Sequence, residues 1–181
     1  NVLAEKLLNK PLKECKIAIQ GLGAVGMGLT KRLICLGCEV IISDIEQAKC
    51  EEVGKLGARI VAPSEILQQE IDILSPCAFG GVINSENINE LKCKLIAGGA
   101  NNILEDESLD RELDNRGIIF VPDFVINCAG FLQALVERNG GTVEEAREKS
   151  KIVGEKINQV IEFARENNLT LLEASLKLFG E

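Results

Sequence analysis

Short apolar runs alternate along this chain with longer stretches in which apolar residues recur every three to four positions. The pattern predicts a helix over Val2–Leu8, ended by Pro11, and then a buried strand over Cys15–Gln20. A helix over Ala24–Leu36 closes at Gly37, a strand follows over Glu39–Ser43, and a second such helix over Ile45–Leu56 closes at Gly57. Arg59–Val61 reads as a short strand, Pro63–Gln68 as one or two helical turns with Ser64 near the cap, and Ile71–Leu74 as a strand stopped by Ser75-Pro76. Asn84–Leu91 reads as a short polar helix and Lys94–Ala97 as a strand ending in Gly98-Gly99. The charged helix Asp106–Arg116 ends at Gly117, and the strand Ile118–Val121 is stopped by Pro122.

Beyond Pro122 the strands cease. Val125–Arg138 reads as a helix broken by Gly140-Gly141. Thr142 and Glu145 form a capping box that opens a helix from Val143 to about Glu166, ended by Asn167-Asn168. Thr170 and Glu173 form a second box, opening a last helix to about Leu178. Strands alternating with helices imply an α/β fold with a mainly parallel sheet covered on both faces. With no internal repeat and no dividing linker, residues 1–181 are expected to form one domain, with C-terminal helices over about 143–181.

Composition narrows the chemistry. The 181 residues are 46% hydrophobic, enough for one full core or at most two small ones. Against 28 acidic residues stand 20 basic ones, a net charge of −8 that repels phosphate backbones and argues against nucleic-acid partners. No run approaches the roughly 20 apolar residues of a membrane span, and no signal peptide is evident. The chain has no His, which removes histidine bases and histidine metal ligands from its own chemistry. Seven scattered cysteines in a chain with a large core read as free thiols in a reducing cytoplasm. The first residue is Asn1, not Met, so a natural start upstream is expected.

Gly21-Leu22-Gly23-Ala24-Val25-Gly26 is a G-x-G-x-x-G turn that follows a predicted strand and opens a predicted helix. In that context Gly21 serves the tight turn, Gly23 lets backbone approach a pyrophosphate, and Gly26 lets helix pack on strand. The free N–H groups of the helix start then face the phosphates. Asp44 ends the next strand 18 residues after Gly26, where an acid holds the adenosine ribose hydroxyls. Ile45, Glu46 and Gln47 include no Arg to meet a 2′-phosphate, so NAD is expected rather than NADP. The predicted fold is thus a Rossmann-type doubly wound sheet. The plain alternative is an empty glycine-rich turn with Asp44 capping the next helix.

Three further strand ends carry loops of small residues: Ile71–Ala78 continuing through Phe79-Gly80-Gly81-Val82-Ile83-Asn84, Leu95–Asn102 (LIAGGANN), and Val121–Asn127 (VPDFVIN) followed by Cys128-Ala129-Gly130. In an open parallel sheet that edge is where ligands bind. Together these segments resemble the cofactor-binding domain of the glutamate/leucine/phenylalanine/valine dehydrogenase family, the leucine, valine and phenylalanine branch more than the glutamate branch. The resemblance covers nearly the whole chain. It implies NAD-dependent oxidative deamination of an L-amino acid to a 2-oxo acid and ammonia. It implies that Gly21, Gly23 and Gly26, with Ala24 and Val25 between them, hold the pyrophosphate and that Asp44, with Ile45 beside it, holds the adenosine ribose. Cys77 and Ala78 would border the adenosine side, Asn101 and Asn102 the nicotinamide ribose or carboxamide, and Asn127 the substrate.

Two departures from the family are visible. Ala129 stands where a Gly is usual; in a tight turn of positive φ its methyl would cost roughly 1 kcal/mol and disturb the aim of Asn127. No glycine-rich lysine motif occurs, and Lys92 and Lys94 read as solvated. By resemblance this chain is the cofactor half of a homo-oligomeric two-domain enzyme, its catalytic residues and most of its amino-acid pocket lying in an N-terminal domain not present here.

Plainer readings stand beside several of these residues. Cys77 lacks a His partner and reads as a thiol lining a cleft rather than a nucleophile. Cys35 and Cys38 form C-x-x-C without a second pair, so no metal site is expected. Asp106, Glu107, Asp110 and Glu112 read as a solvated acidic face. Asn101-Asn102 also suits a plain turn, and Asn127 a helix cap. The stripe Val153, Ile157, Val160, Ile161 and Ala164 reads as a core face, or as a hinge element toward the other domain. A stand-alone dinucleotide-binding sensor is the competing function; a different two-domain dehydrogenase fits the glycine turn but not the three loops together.

Overall fold

The runs Ile17–Ile19 and Val40–Ile42 are apolar at every position, as strands buried on both faces must be. They form the middle of a six-stranded sheet in a computed structural model that describes residues 1–180, the side chains of Ala129 and Phe131 excepted. Residue 181 of the expected C-terminal span lies outside the described residues. The strands are β1 (Lys16–Gln20), β2 (Glu39–Ser43), β3 (Arg59–Ile60), β4 (Ile73–Pro76), β5 (Leu95–Ile96) and β6 (Ile119–Phe120). Every pairing is parallel and the order is β3-β2-β1-β4-β5-β6. β1 pairs with β2 from Lys16↔Glu39 to Gln20↔Ser43 and with β4 from Ile17↔Ile73 to Gln20↔Pro76.

The helices are α1 (Val2–Leu7), α2 (Ala24–Cys35), α3 (Gln47–Gly54), α4 (Leu109–Asn115), α5 (Asp123–Ile126), α6 (Cys128–Arg138), α7 (Val143–Ser150), α8 (Ile152–Asn167) and α9 (Leu171–Phe179). Alternation along each strand sends side chains to opposite faces. Ile17, Ile19, Val40 and Ile42 pack with Leu33 of α2, Val53 of α3 and the Ile157–Val160–Ile161–Ala164 stripe of α8. Ala18, Ile41, Leu74 and Ile96 pack on the other face with Ile66, Ile88, Ile103 and Leu113. The stripe on α8 is therefore core, as its spacing predicts.

Several boundaries differ from the sequence reading. Pro76 belongs to β4, because a proline at a strand's last position removes at most one ladder bond and its carbonyl still accepts from Ala100 N–H at 3.0 Å. The expected helix Asn84–Leu91 is a single 3₁₀ turn at Ile88–Glu90. Helix 125–138 is two helices meeting at Asn127, and the helix expected from Val143 to Glu166 breaks at Lys151 between α7 and α8. Both capping boxes form as predicted. Position 129 lies inside α6, a right-handed helix rather than a positive-φ turn, so the backbone cost expected there does not arise; its side chain lies outside the description.

Two acidic side chains are buried, Asp72 and Asp110, and the second departs from the solvated acidic face expected of it. Asp72, 5% exposed, sits just before β4 at the amino-terminal edge of the sheet. Its Oδ2 accepts from Lys10 Nζ at 2.7 Å and Lys16 N–H at 3.0 Å, and its Oδ1 from Lys94 Nζ at 2.9 Å. Burial pushes this carboxyl up, but those donors outweigh it and hold it at about 2. Lys94 is thus paired, although its side chain remains 67% exposed. Asp110 turns inward from α4, only 4% exposed, and accepts from the Thr170 hydroxyl at the start of α9. Burial pushes it up to about 6; the Thr170 bond works against that, while Glu173 and Asp114 add to it.

Candidate functional site

β1 and β4 are neighbours, but their crossovers leave in opposite directions along the sheet, which opens a crevice at their carboxyl ends. The glycine turn fills that crevice. Gly21 has φ +93, a conformation L side chains rarely adopt, and a Cβ there would stand 2.7 Å from Ala78 Cβ. A Cβ on Gly26 would stand 2.0 Å from Gly21 O and 3.1 Å from Cys77 Cβ. Packing inside the chain thus dictates both glycines. Gly23 is different: its φ is −68, and a Cβ on it would meet nothing within 4 Å. Neither backbone strain nor packing requires glycine there, and the open space suits a group approaching the backbone from outside.

Gly23 is the N-cap of α2 and provides no side chain to bond the helix start. The first intrahelical bond runs from Met27 N–H to Gly23 O at 2.9 Å. The N–H groups of Ala24, Val25 and Gly26 are the orphan donors of the first turn, which contains no acid. Positive helix-end potential and free donors make this a fitting seat for phosphate oxygens.

Asp44 follows β2 beside this turn. Its Oδ1 accepts from Glu46 N–H at 2.8 Å and its Oδ2 from Leu22 N–H in the glycine turn. Burial pushes the carboxyl up, but the N–H groups of Glu46 and Leu22 and the nearby Lys49 ammonium hold it below its ordinary value. Asp44, Ile45, Cys77 and Ala78 line a cavity of about 380 Å³ with Gly21 and Gly23. The same walls include Gln20, Lys49 and Phe79, to which the sequence reading assigned no role, and Glu46, which it named only for not being Arg. Gln20 Oε1 is buried without a partner, and Phe79 is 79% exposed, an aromatic ring left uncovered by the chain's own fold. Their only sequence signal is position: Gln20, Glu46 and Phe79 stand at or just after strand ends on the ligand edge, and Lys49 stands in the first turn of α3.

The loops after β4 and β5 lie side by side. Gly81 N–H donates to Asn102 O at 2.7 Å, Ile83 pairs with Leu104, and a Cβ on Gly80 would stand 2.7 Å from Asn101 O. Asn102 adopts φ +52, which asparagine tolerates, and its N–H donates to Asp123 Oδ2 at 3.0 Å. Asn127 makes no side-chain helix cap. Its Nδ2 instead donates to Ala100 O at 3.1 Å and Asn101 Oδ1 at 3.3 Å. Asn101 and Asn127, 26 residues apart, therefore meet. Asn127 also lines, with Val25, Gly98 and Gly99, an apolar cavity of about 450 Å³.

All seven cysteines are free, Cys35 exposed and Cys38 buried. Among the described residues no group of three or more acidic or thiol side chains is placed to hold a metal, and no helix is long and apolar enough to cross a membrane.

Strand order and glycine turn together define a Rossmann-type domain. The chain belongs to the Glutamate/Leucine/Phenylalanine/Valine dehydrogenase family, whose model matches residues 42–178. It is 38% identical over 172 residues to L-tryptophan dehydrogenase of Nostoc punctiforme, covering 94% of this chain and 49% of that protein. It is likewise 38% identical over 154 residues to leucine dehydrogenase of Thermoactinomyces intermedius, covering 84% of this chain and 42% of that one. The crystal structure of the Nostoc punctiforme enzyme superposes with a TM-score of 0.93 at 37% identity, over 98% of this chain and 54% of that one. The chain spans about half the length of the curated relatives it matches.

Proposed function

We propose that this chain is the NAD-binding half of an amino-acid dehydrogenase that deaminates an apolar L-amino acid oxidatively to a 2-oxo acid and ammonia. The observation that carries the reading is Gly23, a glycine that neither strain nor packing inside the chain explains, at the uncapped start of α2. The N–H groups of Ala24, Val25 and Gly26 would hold the pyrophosphate and Asp44, with Ile45 beside it, the adenosine ribose. Cys77 and Ala78 would border the adenosine end, and Asn101 and Asn102 the nicotinamide end. Asn127, anchored through its Nδ2, would face the substrate. NAD supplies the hydride acceptor, and these residues supply its position.

A carboxylate at position 44 and the absence of Arg at 45–47 favour NAD over NADP. The lysine and aspartate of the amine chemistry, and the pocket that selects the amino acid, would belong to another domain, in keeping with the half-length match. As the family resemblance implies, that domain would also mediate assembly into a homo-oligomer. Free thiols fit a reducing cytoplasm.

Calorimetric titration of the chain with NAD and NADP tests the reading, using the wild type and Gly23→Ala. The variant is expected to unfold within about 1 kcal/mol of wild type, since its methyl meets nothing, yet to bind NAD at least about tenfold more weakly. Equal NAD binding by the two proteins, or none by the wild type, would refute it. Asp44→Ala is a poorer probe, because it also strips partners from Leu22 and Glu46 N–H.

A further inference from the structure

We infer that Glu46 is a second determinant of coenzyme choice, acting by holding Lys49 away from a 2′-phosphate; the inference rests on the coenzyme reading above. Among the described residues lining the adenosine-side cavity, Lys49 is the one cation. It stands in the first turn of α3, three residues from Glu46, and its Nζ lies 2.5 Å from Glu46 Oε1. The corner where a ribose 2′-oxygen would sit therefore gathers two carboxylates and one ammonium, a net charge of −1.

Asp44 alone is an incomplete barrier to a phosphate there. Each of its oxygens already accepts a backbone N–H, which compensates part of its charge. Were Lys49 free, its flexible stem would let the ammonium turn toward a phosphate at the mouth of the same cavity. Glu46 removes that option twice over, by occupying the ammonium and by adding a negative charge of its own. Replacing Glu46 with a neutral isostere leaves Asp44 and Lys49, a neutral corner holding one free cation. Position 46, not only position 44, thus sets the chain against a dinucleotide carrying a 2′-phosphate.

The test is calorimetric titration of wild type, Glu46→Gln, Lys49→Gln and the double variant with NAD and NADP, each protein first shown by circular dichroism to be folded. The readout is the ratio of NADP to NAD affinity. Glu46→Gln is expected to raise it about tenfold, and the added Lys49→Gln to abolish the gain. The gain should shrink at 0.5 M salt, as exposed charge pairs do. An unchanged ratio in Glu46→Gln with NAD binding intact, or a gain that survives the loss of Lys49, would overturn this inference alone. Failure of every protein, wild type included, to bind either dinucleotide would overturn the coenzyme reading and this one with it.

Discussion

Replacing Asp72 with Asn should destabilise the chain by an amount that depends on pH in a calculable way. The carboxyl is 5% exposed and receives three donors, two of them ammonium groups. Its folded value of about 2 lies below the 3.8 of an unperturbed Asp, a gap of 3.8 − 2 = 1.8. At 1.36 kcal/mol for each pH unit, that gap corresponds to about 2 kcal/mol of stability. Because the folded value is the depressed one, the contribution is complete well above the unfolded value and is lost as pH falls toward the folded value. It stands nearly whole at pH 5, at roughly half by pH 3, and nearly gone at pH 2. Asn keeps an acceptor for Lys16 N–H but leaves Lys10 and Lys94 without their counter-charge. Urea unfolding read by far-ultraviolet circular dichroism suits a chain without Trp or Tyr. The variant should fall short of wild type by about 2 kcal/mol at pH 7, with the shortfall narrowing by about half at pH 3. A shortfall that is absent at pH 7, or that stays constant as pH falls, would refute the reasoning.

Two further substitutions have definite outcomes. Asp110 is the opposite case: its folded value of about 6 exceeds the unfolded 3.8, so stability falls as pH rises through that window. Asp110→Asn keeps an acceptor for the Thr170 hydroxyl and should raise the melting temperature at pH 7.5 while changing it little at pH 4; a lower melting temperature at both would contradict the assignment. Gly26→Ala drives a methyl to 2.0 Å from Gly21 O, so the glycine turn must move; it should lose at least about 2 kcal/mol of stability in denaturant melts, and a wild-type midpoint would mean that the turn yields freely.

Much of this architecture was legible because local signals agreed. β1, the glycine turn, α2 and β2 each have apolar period, breaker and cap pointing to the same boundaries, and the structure moves them by at most one residue. Signals that depend on partners far along the chain were not legible. Asp110 sits in a run of acids and reads as surface, because nothing near it announces Thr170, 60 residues on. Lys94 reads as solvated and is exposed, but nothing near it announces its ion pair with Asp72, 22 residues away. The break at Lys151 also has no breaker residue: its φ −61 and ψ −25 remain near helical values, and only the hydrogen-bond pattern changes. In the candidate site, Gly21, Gly26 and Asp44 were found by motif and spacing. Gln20 and Lys49 belong to no motif, and Phe79 lies within a quoted loop without a role of its own there; all three enter through the shape of the cavity.

The Asp72 cluster stands at the opposite end of the strands from the glycine turn. That separation has an evolutionary consequence. Substitutions that retune the ligand edge leave the ion cluster untouched, and substitutions that strengthen the cluster leave the ligand edge untouched. Sites so distant and without shared partners add independently in free energy. Robustness gained at one end of the sheet therefore becomes tolerance for change at the other, and a lineage can vary the strands' carboxyl edge while its scaffold holds still.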